Sequence, residues 1–466
     1  MKSRILSWGK FILRWGIAVV GVAWVLMHTS FQDRVLLLDR HDLPVSERVY
    51  RDATDSDSRF LVSDPDSSQK HWVSRDQLWT RPDRRSVAVQ LSPGHSESAR
   101  FLAYHPQGDK LDVQFASSNH GTIISASKVV GGYHVAVPYP LVDIGLDRLV
   151  LNARLRLLLA ALLVLPVTYL ITSLRWHWLL GAMEIYLSWP RTFVLNMVGS
   201  FYNTFMPGST GGDLIRAYYA AKHTTHRIRA VLSVLVDRGI GLLALIILGG
   251  VMATGQLSVL DCRRVAVGCA AILSLTAVGL FVFYHPGLRR RIGLDWLLRK
   301  LPMQRQVTHL VEALELYGKR GKTILGSLLI SFPVHMTVIV SATLAGFAFG
   351  LKMPVLYYWV CVPVIVLVGA IPISPQGAGV MELFAVELTK RQGITVSQAF
   401  ALAMSIRVGA MFWNLVAGLF VLRGGYHPPT KQEEEGLETD EPDPAAPRLE
   451  PLPAAVTGNG HRTTGG

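Results

Sequence analysis

Two stretches of this chain combine proline, glycine, an acid and an arginine in an order able to hold an anion among apolar residues. The first, FYNTFMPGSTGGDLIRAYY (201–219), contains Asn203, Pro207, Gly208, Gly211, Gly212, Asp213 and Arg216. Pro207 stops one helix, the glycines admit backbone conformations closed to other residues, and a new helix begins near Asp213. The unbonded N–H groups and positive dipole end of that helix suit a phosphate or carboxylate. Asp213 can equally act as the N-cap, paired by Arg216 three residues on along the same face. The motif is not a P-loop, since it lacks the terminal Gly-Lys-Ser/Thr. The second stretch, SPQGAGVMELF (374–384), offers Gly377, Gly379 and, in the place of Asp213, Glu382.

Each stretch is followed by an arginine inside an apolar run: Asp237 and Arg238 in VLVDRGIGLL, and Arg407 in ALAMSIRVGAMFWNL. A helix starting near Arg229 places Asp237 and Arg238 about 12 Å along, at ~1.5 Å per residue. An arginine at that depth in a bilayer costs from about 2.5 to more than 10 kcal/mol, so it must face the bundle interior with a partner. Two arginines beside two helix starts fit an anionic head group, which the planar guanidinium grips in two-point fashion. The competing arrangement is a buried Asp237 to Arg407 or Glu382 to Arg238 pair that only fixes packing. Asn203 and Asn414 are expected to hydrogen-bond between helices. Tyr218, Tyr219, Tyr357, Tyr358, Trp176, Trp178 and Trp189 read as interfacial belt residues.

No Ser/His/Asp set, HExxH motif or paired-carboxylate site is present, so no catalytic residue is assigned. The histidines at 71, 95, 105, 120 and 134 are scattered, and those at 223 and 226 fall in a cytoplasmic loop. Cys262, Cys269 and Cys361 lie in or beside apolar runs without a paired CxxC, so no disulfide, metal site or cofactor is expected.

The elements that must position these residues belong in a bilayer. Half of the 466 residues are hydrophobic and only 17% charged, and the mean hydropathy is +0.32, too apolar for an ordinary soluble protein. Runs of membrane-crossing length occur at 11–28, 151–174, 230–254, 265–284, 323–350 and 398–422, with two shorter ones at 192–206 and 355–371. The first run lacks a clear cleavage site and reads as a retained anchor, residues 1–28. The net charge of +13 could suggest nucleic acid, but its placement points elsewhere. Residues 285–322 hold nine Lys or Arg against three acids, a cytoplasmic loop by the positive-inside rule. Lys2, Arg4, Lys10 and Arg14 place the N-terminus on the same side, and Arg148, Arg154 and Arg156 argue against it. Residues 29–150 then form an extracytoplasmic β-rich module, and 425–466 an acidic, Pro-rich disordered tail.

Residues 151–254 and 320–422 repeat one another. Pro166 aligns with Pro333, Pro190 with Pro354, the two broken stretches with each other, and Arg238 with Arg407. Between the repeats lies one further span at 265–284, so the second repeat enters from the opposite face. The expected fold is an all-α polytopic membrane protein built on an inverted repeat. Each half contains a broken, re-entrant helix pair, an arrangement that points to a site at mid-membrane.

RWHWLL (175–180), FYNTFMPGSTGGDLIRAYY, VLVDRGIGLL and SPQGAGVMELF together resemble the flippase-like membrane domain family that includes the lysylphosphatidylglycerol synthase transmembrane region. The resemblance covers about 150–424. It implies a multi-pass plasma-membrane protein that translocates or handles an anionic lipid or lipid-linked intermediate, with Asp213, Arg216, Asp237, Arg238, Glu382 and Arg407 as functional candidates. It implies no cofactor and no nucleic acid, and the bilayer and its anionic lipid as partners. After 424 only about 40 residues follow, so the family's aminoacyl-transferase domain is missing and lysyl-lipid synthesis is not expected. The alternatives are a membrane enzyme or accessory subunit acting on polyprenyl-phosphate-linked sugars, and a non-transporting scaffold with 29–150 binding a partner.

Overall fold

A computed structural model of the chain describes residues 19–24, 26–27, 29, 31 and 33, the strands between 34 and 143 with a few linking residues, and 145–429 apart from 206–210, 225–226, 258, 292–314, 372–373 and 393. Pro207, Gly208 and most of the expected tail lie outside the described residues.

The strands β1 (Arg34–Leu38), β2 (Pro44–Val49), β3 (Arg59–Ser63), β4 (Lys70–Ser74) and β9 (Val142–Asp143) form one antiparallel sheet in the order β4-β3-β2-β1-β9. A second contains β5 (Ser86–Ser92), β6 (His95–His105), β7 (Lys110–Phe115) and β8 (Thr122–Ser125) in sequence order. Val89, Ala99, Leu111 and Val113 are its buried apolar residues. The two ends of this region are tied at their base. Asp33 accepts from the Gly145 amide at 2.7 Å and from Arg148 Nη1 at 2.6 Å, next to α1 (Leu146–Leu151).

The rest of the chain is helical. α2 (Leu155–Val164) and α3 (Pro166–Ala182) run on as one 28-residue rod, because Pro166 at the first position of α3 forfeits only an N–H that a helix start leaves unpaired. It is one of five described stretches long and apolar enough to cross a membrane. The others lie in α6 (Arg227–Thr254), α7 (Leu260–Tyr284), α9 (Gly321–Ala348) and α12 (Val396–Gly424), and α8 (Pro286–Arg291) follows α7. Rows of exposed Leu and Val on α7, α9 and α12, such as Val267, Leu275, Leu325, Leu329, Leu415 and Leu422, suit hydrocarbon and would be an aggregation liability in water. The chain is a helical, multi-pass membrane protein.

α2–α3 and α9 lie antiparallel. The Arg154 amide donates to Ala348 O at 3.0 Å, Ser341 Oγ to Ala161 O at 2.7 Å, and Tyr317 OH to Leu179 O at 3.1 Å. Between the long helices are two broken pairs: α4 (Trp189–Phe205) with α5 (Gly211–Ala221), and α10 (Val355–Ala370) with α11 (Val380–Thr389), the latter joined through a 3-10 turn at Pro375–Gly377. At ~1.5 Å per residue, α5 and α11 reach only about half of a roughly 30 Å hydrocarbon layer. The tips of the two pairs touch, with Gln376 Nε2 donating to Thr204 O at 3.3 Å.

Two expectations change. The aromatic residues are not all interfacial. Trp178 and Trp189 are exposed, but Trp176, Tyr218, Tyr357 and Tyr358 are core: Trp176 Nε1 donates to Ser233 Oγ, Tyr357 OH donates to Leu388 O, and the Tyr358 ring packs edge-on against Phe347. The tail also does not begin at 425. Gly425, at φ +61°, turns the chain back, and the next residues are held by Tyr202 OH to Tyr426 O at 2.9 Å and Tyr219 OH to His427 O at 3.1 Å.

Candidate anion-binding site

The first break supplies a chain of five charges. α5 starts against α4 so closely that a Cβ on Gly212 would sit 1.8 Å from Gly199 O. The Gly212 amide is satisfied by Asn203 Oδ1 at 2.9 Å, so a residue of the preceding helix caps α5. One turn along, Arg216 Nε meets Asp213 Oδ1 at 3.1 Å, Nη1 donates to Asn196 Oδ1 at 3.1 Å, and Nη2 to Asp237 Oδ2 at 3.0 Å. Its guanidinium also lies 5.0 Å from the centre of the Trp176 ring. The other oxygen of Asp237 accepts from Arg175 Nε at 2.7 Å, and Arg175 Nη1 donates to Ser331 Oγ at 2.9 Å. Arg238 Nε donates to Asp213 Oδ2 at 2.7 Å, which completes the series Arg175, Asp237, Arg216, Asp213, Arg238.

The second break repeats the terminal pair. Gly377 and Gly379 hold φ of +69° and +81°, values that only glycine adopts at no steric cost. The Gly379 amide donates to Glu382 Oε2 at 2.8 Å, and Glu382 Oε1 meets Arg407 Nη2 at 2.5 Å. Arg407 Nη2 also lies 3.3 Å from Gly377 O. In each half the acid sits in the first turn of the short helix and its arginine on the long helix that follows. The separation is 25 residues from Asp213 to Arg238, and 407 − 382 = 25 from Glu382 to Arg407.

Exposure separates the two pairs. Arg238 has 43% of its side-chain surface open, onto a cavity of about 690 Å³ lined by Arg175, Asp213, Arg238 and His335 among aliphatic residues such as Leu214, Val234, Leu242 and Val366. His335 Nε2 donates to Gly241 O at 2.8 Å. Arg407 is only 11% open and Glu382 fully enclosed, and neither lines this cavity. The helical residues 19–24 lie beside the second break, where a Cβ on Gly21 would be 2.7 Å from Gly379 Cα. A volume of this size, largely apolar with few polar groups converging, is typical of a site for a small molecule or head group. Its low-dielectric walls leave the arginine charge poorly screened. Outside the spanning helices, burial and the nearby Arg191 guanidinium push His223 below its ordinary value, so it is neutral at pH 7.

Asp213, Arg216, Asp237 and Arg238, with Gly211, Gly212 and Asn203 framing them, come together at the first break, and Gly377, Gly379, Glu382 and Arg407 at the second. The acid–arginine pairs form within each half. Asp237 does not reach Arg407 nor Glu382 Arg238: Asp237 is held by Arg175 and Arg216, Arg238 by Asp213, and Glu382 by Arg407. Arg175, Asn196 and His335 complete the site and are not among the sequence candidates. Arg175 stood in RWHWLL as a lone arginine in an apolar run, the same sign that marked Arg238. Asn414 accepts from Tyr169 OH at 2.8 Å, a contact between helices.

The chain matches no curated protein and no solved structure. The family profile described as lysylphosphatidylglycerol synthase TM region matches residues 137–418, which include every helix of both broken pairs and all the arginines and acids above. With that match over more than half its length, the chain belongs to the lysylphosphatidylglycerol synthase TM region family.

Proposed function

We propose that this protein binds the anionic head of a membrane lipid or lipid-linked intermediate in the cavity beside Arg238 and translocates it across the bilayer, without catalysing a covalent step. The observation that carries this reading is the grouping of Arg175, Arg216 and Arg238 with Asp213 and Asp237 beside a cavity whose other lining is largely aliphatic. A bound anionic head would lie against the Arg238 and Arg175 guanidiniums there, while the acyl or prenyl chains stay against the apolar lining.

The movement rests on the repeat. Antiparallel α2–α3 and α9, two half-length helix pairs and the matched 25-residue separations support two units of opposite orientation around one centre. The first pair opens on a cavity and the second is covered, the asymmetry expected of a transporter caught facing one side. The basic loop and N-terminus support a cytoplasmic orientation for that open side, with 29–150 outside the plasma membrane as a β-rich module. The test is lipid scrambling in liposomes reconstituted with Arg238→Gln. A well-folded variant that scrambles a labelled anionic lipid as fast as the parent would remove the reading.

A further inference from the structure

A second concavity, of about 710 Å³, shares no residue with the central cavity. It lies between the end of α3 and the first turns of α9. Gly181 and Gly326 line its floor, and nothing comes within 4 Å of a Cβ built on Gly181, so the recess exists because two side chains are missing. Trp178 forms one side, with its ring 3.5 Å from the Cβ position of Gly326. Tyr186 is 77% exposed at the rim. Arg320 and Lys322 line it from the start of α9.

The charge of the rim is not neutralised. Arg320 reaches Glu184 only at 3.6 Å, and that carboxylate is held more closely by Arg229 at 2.9 Å. Lys322 forms no ion pair among the described residues. His177, which also lines the recess, has a buried Nδ1 without a hydrogen-bond partner. Exposed aromatic rings beside two cations at the ends of spanning helices are the combination that meets a bilayer at head-group level. A slot floored by glycines has room for the first part of an acyl chain.

We propose that this groove is a peripheral site for an anionic phospholipid, with its phosphate on Arg320 and Lys322 and its chain along Trp178 and Gly326. The site is separate from the transported substrate, and it stands whether or not the central reading does. The experiment uses the full chain in nanodiscs with a fluorophore on Tyr186→Cys, since Cys262, Cys269 and Cys361 are buried and should not react. Acyl-brominated phosphatidylglycerol or phosphatidylcholine serves as the quencher. The labelled protein should prefer phosphatidylglycerol by about five- to thirtyfold, the range expected for two cations near a membrane surface. Arg320→Gln with Lys322→Gln should abolish that preference, and Arg320→Lys with Lys322→Arg should retain it. Equal quenching by the two lipids, or a preference that survives the Gln pair, overturns the proposal. So does displacement of phosphatidylglycerol by millimolar inorganic phosphate, which would make the groove a site for soluble anions.

Discussion

Asp237 and Arg238 are neighbours in sequence, yet they should fail in opposite ways when neutralised. Asp237 is enclosed and takes one bond from Arg175 and one from Arg216, two arginines that are themselves buried. Asp237→Asn keeps the shape and removes the charge that both guanidiniums face, leaving Arg175 without an anion. Breaking a buried pair from one side costs roughly 3–5 kcal/mol, so this variant should melt far below the parent in detergent. Arg238→Gln is different, because Asp213 keeps Arg216, and a half-exposed ion pair contributes about 1 kcal/mol or less. Its melting point should scarcely move. Binding of an anionic head should instead weaken by roughly 1.5–3 kcal/mol, the value of a hydrogen bond to a charged group, or about 10- to 150-fold. The assays are thermal melting in detergent and lipid binding or scrambling in liposomes, run on the same preparations. Adding Arg175→Gln to Asp237→Asn should recover part of the lost stability, since the unbalanced charge goes with it. The reasoning fails if Arg238→Gln melts as low as Asp237→Asn, or if Asp237→Asn is fully stable.

The close approach at the first break predicts that Gly212→Val, whose Cβ would strike Gly199 O, destabilises the protein by about 1–3 kcal/mol or more, whereas Gly181→Ala, with open space around it, leaves the melting point unchanged. Loss of the cap in Asn203→Ala should cost about 1 kcal/mol, read as a small drop in melting point without loss of insertion. Deletion of 430–466 should leave stability intact, while deletion from 425 removes the partners of Tyr202 and Tyr219 and should lower it by roughly 1–3 kcal/mol for the lost hydrogen bonds. Two cuts with identical melting points would show that those bonds contribute nothing.

Much of the membrane architecture could be read from residue type and spacing alone. Apolar run length, and the cost of leaving backbone groups unpaired in hydrocarbon, allow few structures other than long helices. Proline and glycine marked where the helices stop, and each charged residue in an apolar run was marked as needing a partner. These are local constraints, visible wherever the residues stand. Partner choice was not local. Asp237 had several arginines at compatible depth, and the choice of Arg175 and Arg216 depended on helix rotation and on Gly241, whose missing side chain leaves Arg175 room to pass at 3.1 Å. The burial of Trp176 and Tyr357 was equally out of reach, because an aromatic ring with a polar end satisfies either an interface or a core with a partner. Sequence determined that arginines must be paired inside the bundle. Only the packing of α3, α5, α6 and α9 decided that Arg238 would stand open to the cavity while Arg175 and Arg216 are buried, because exposure depends on which neighbours cover a side chain.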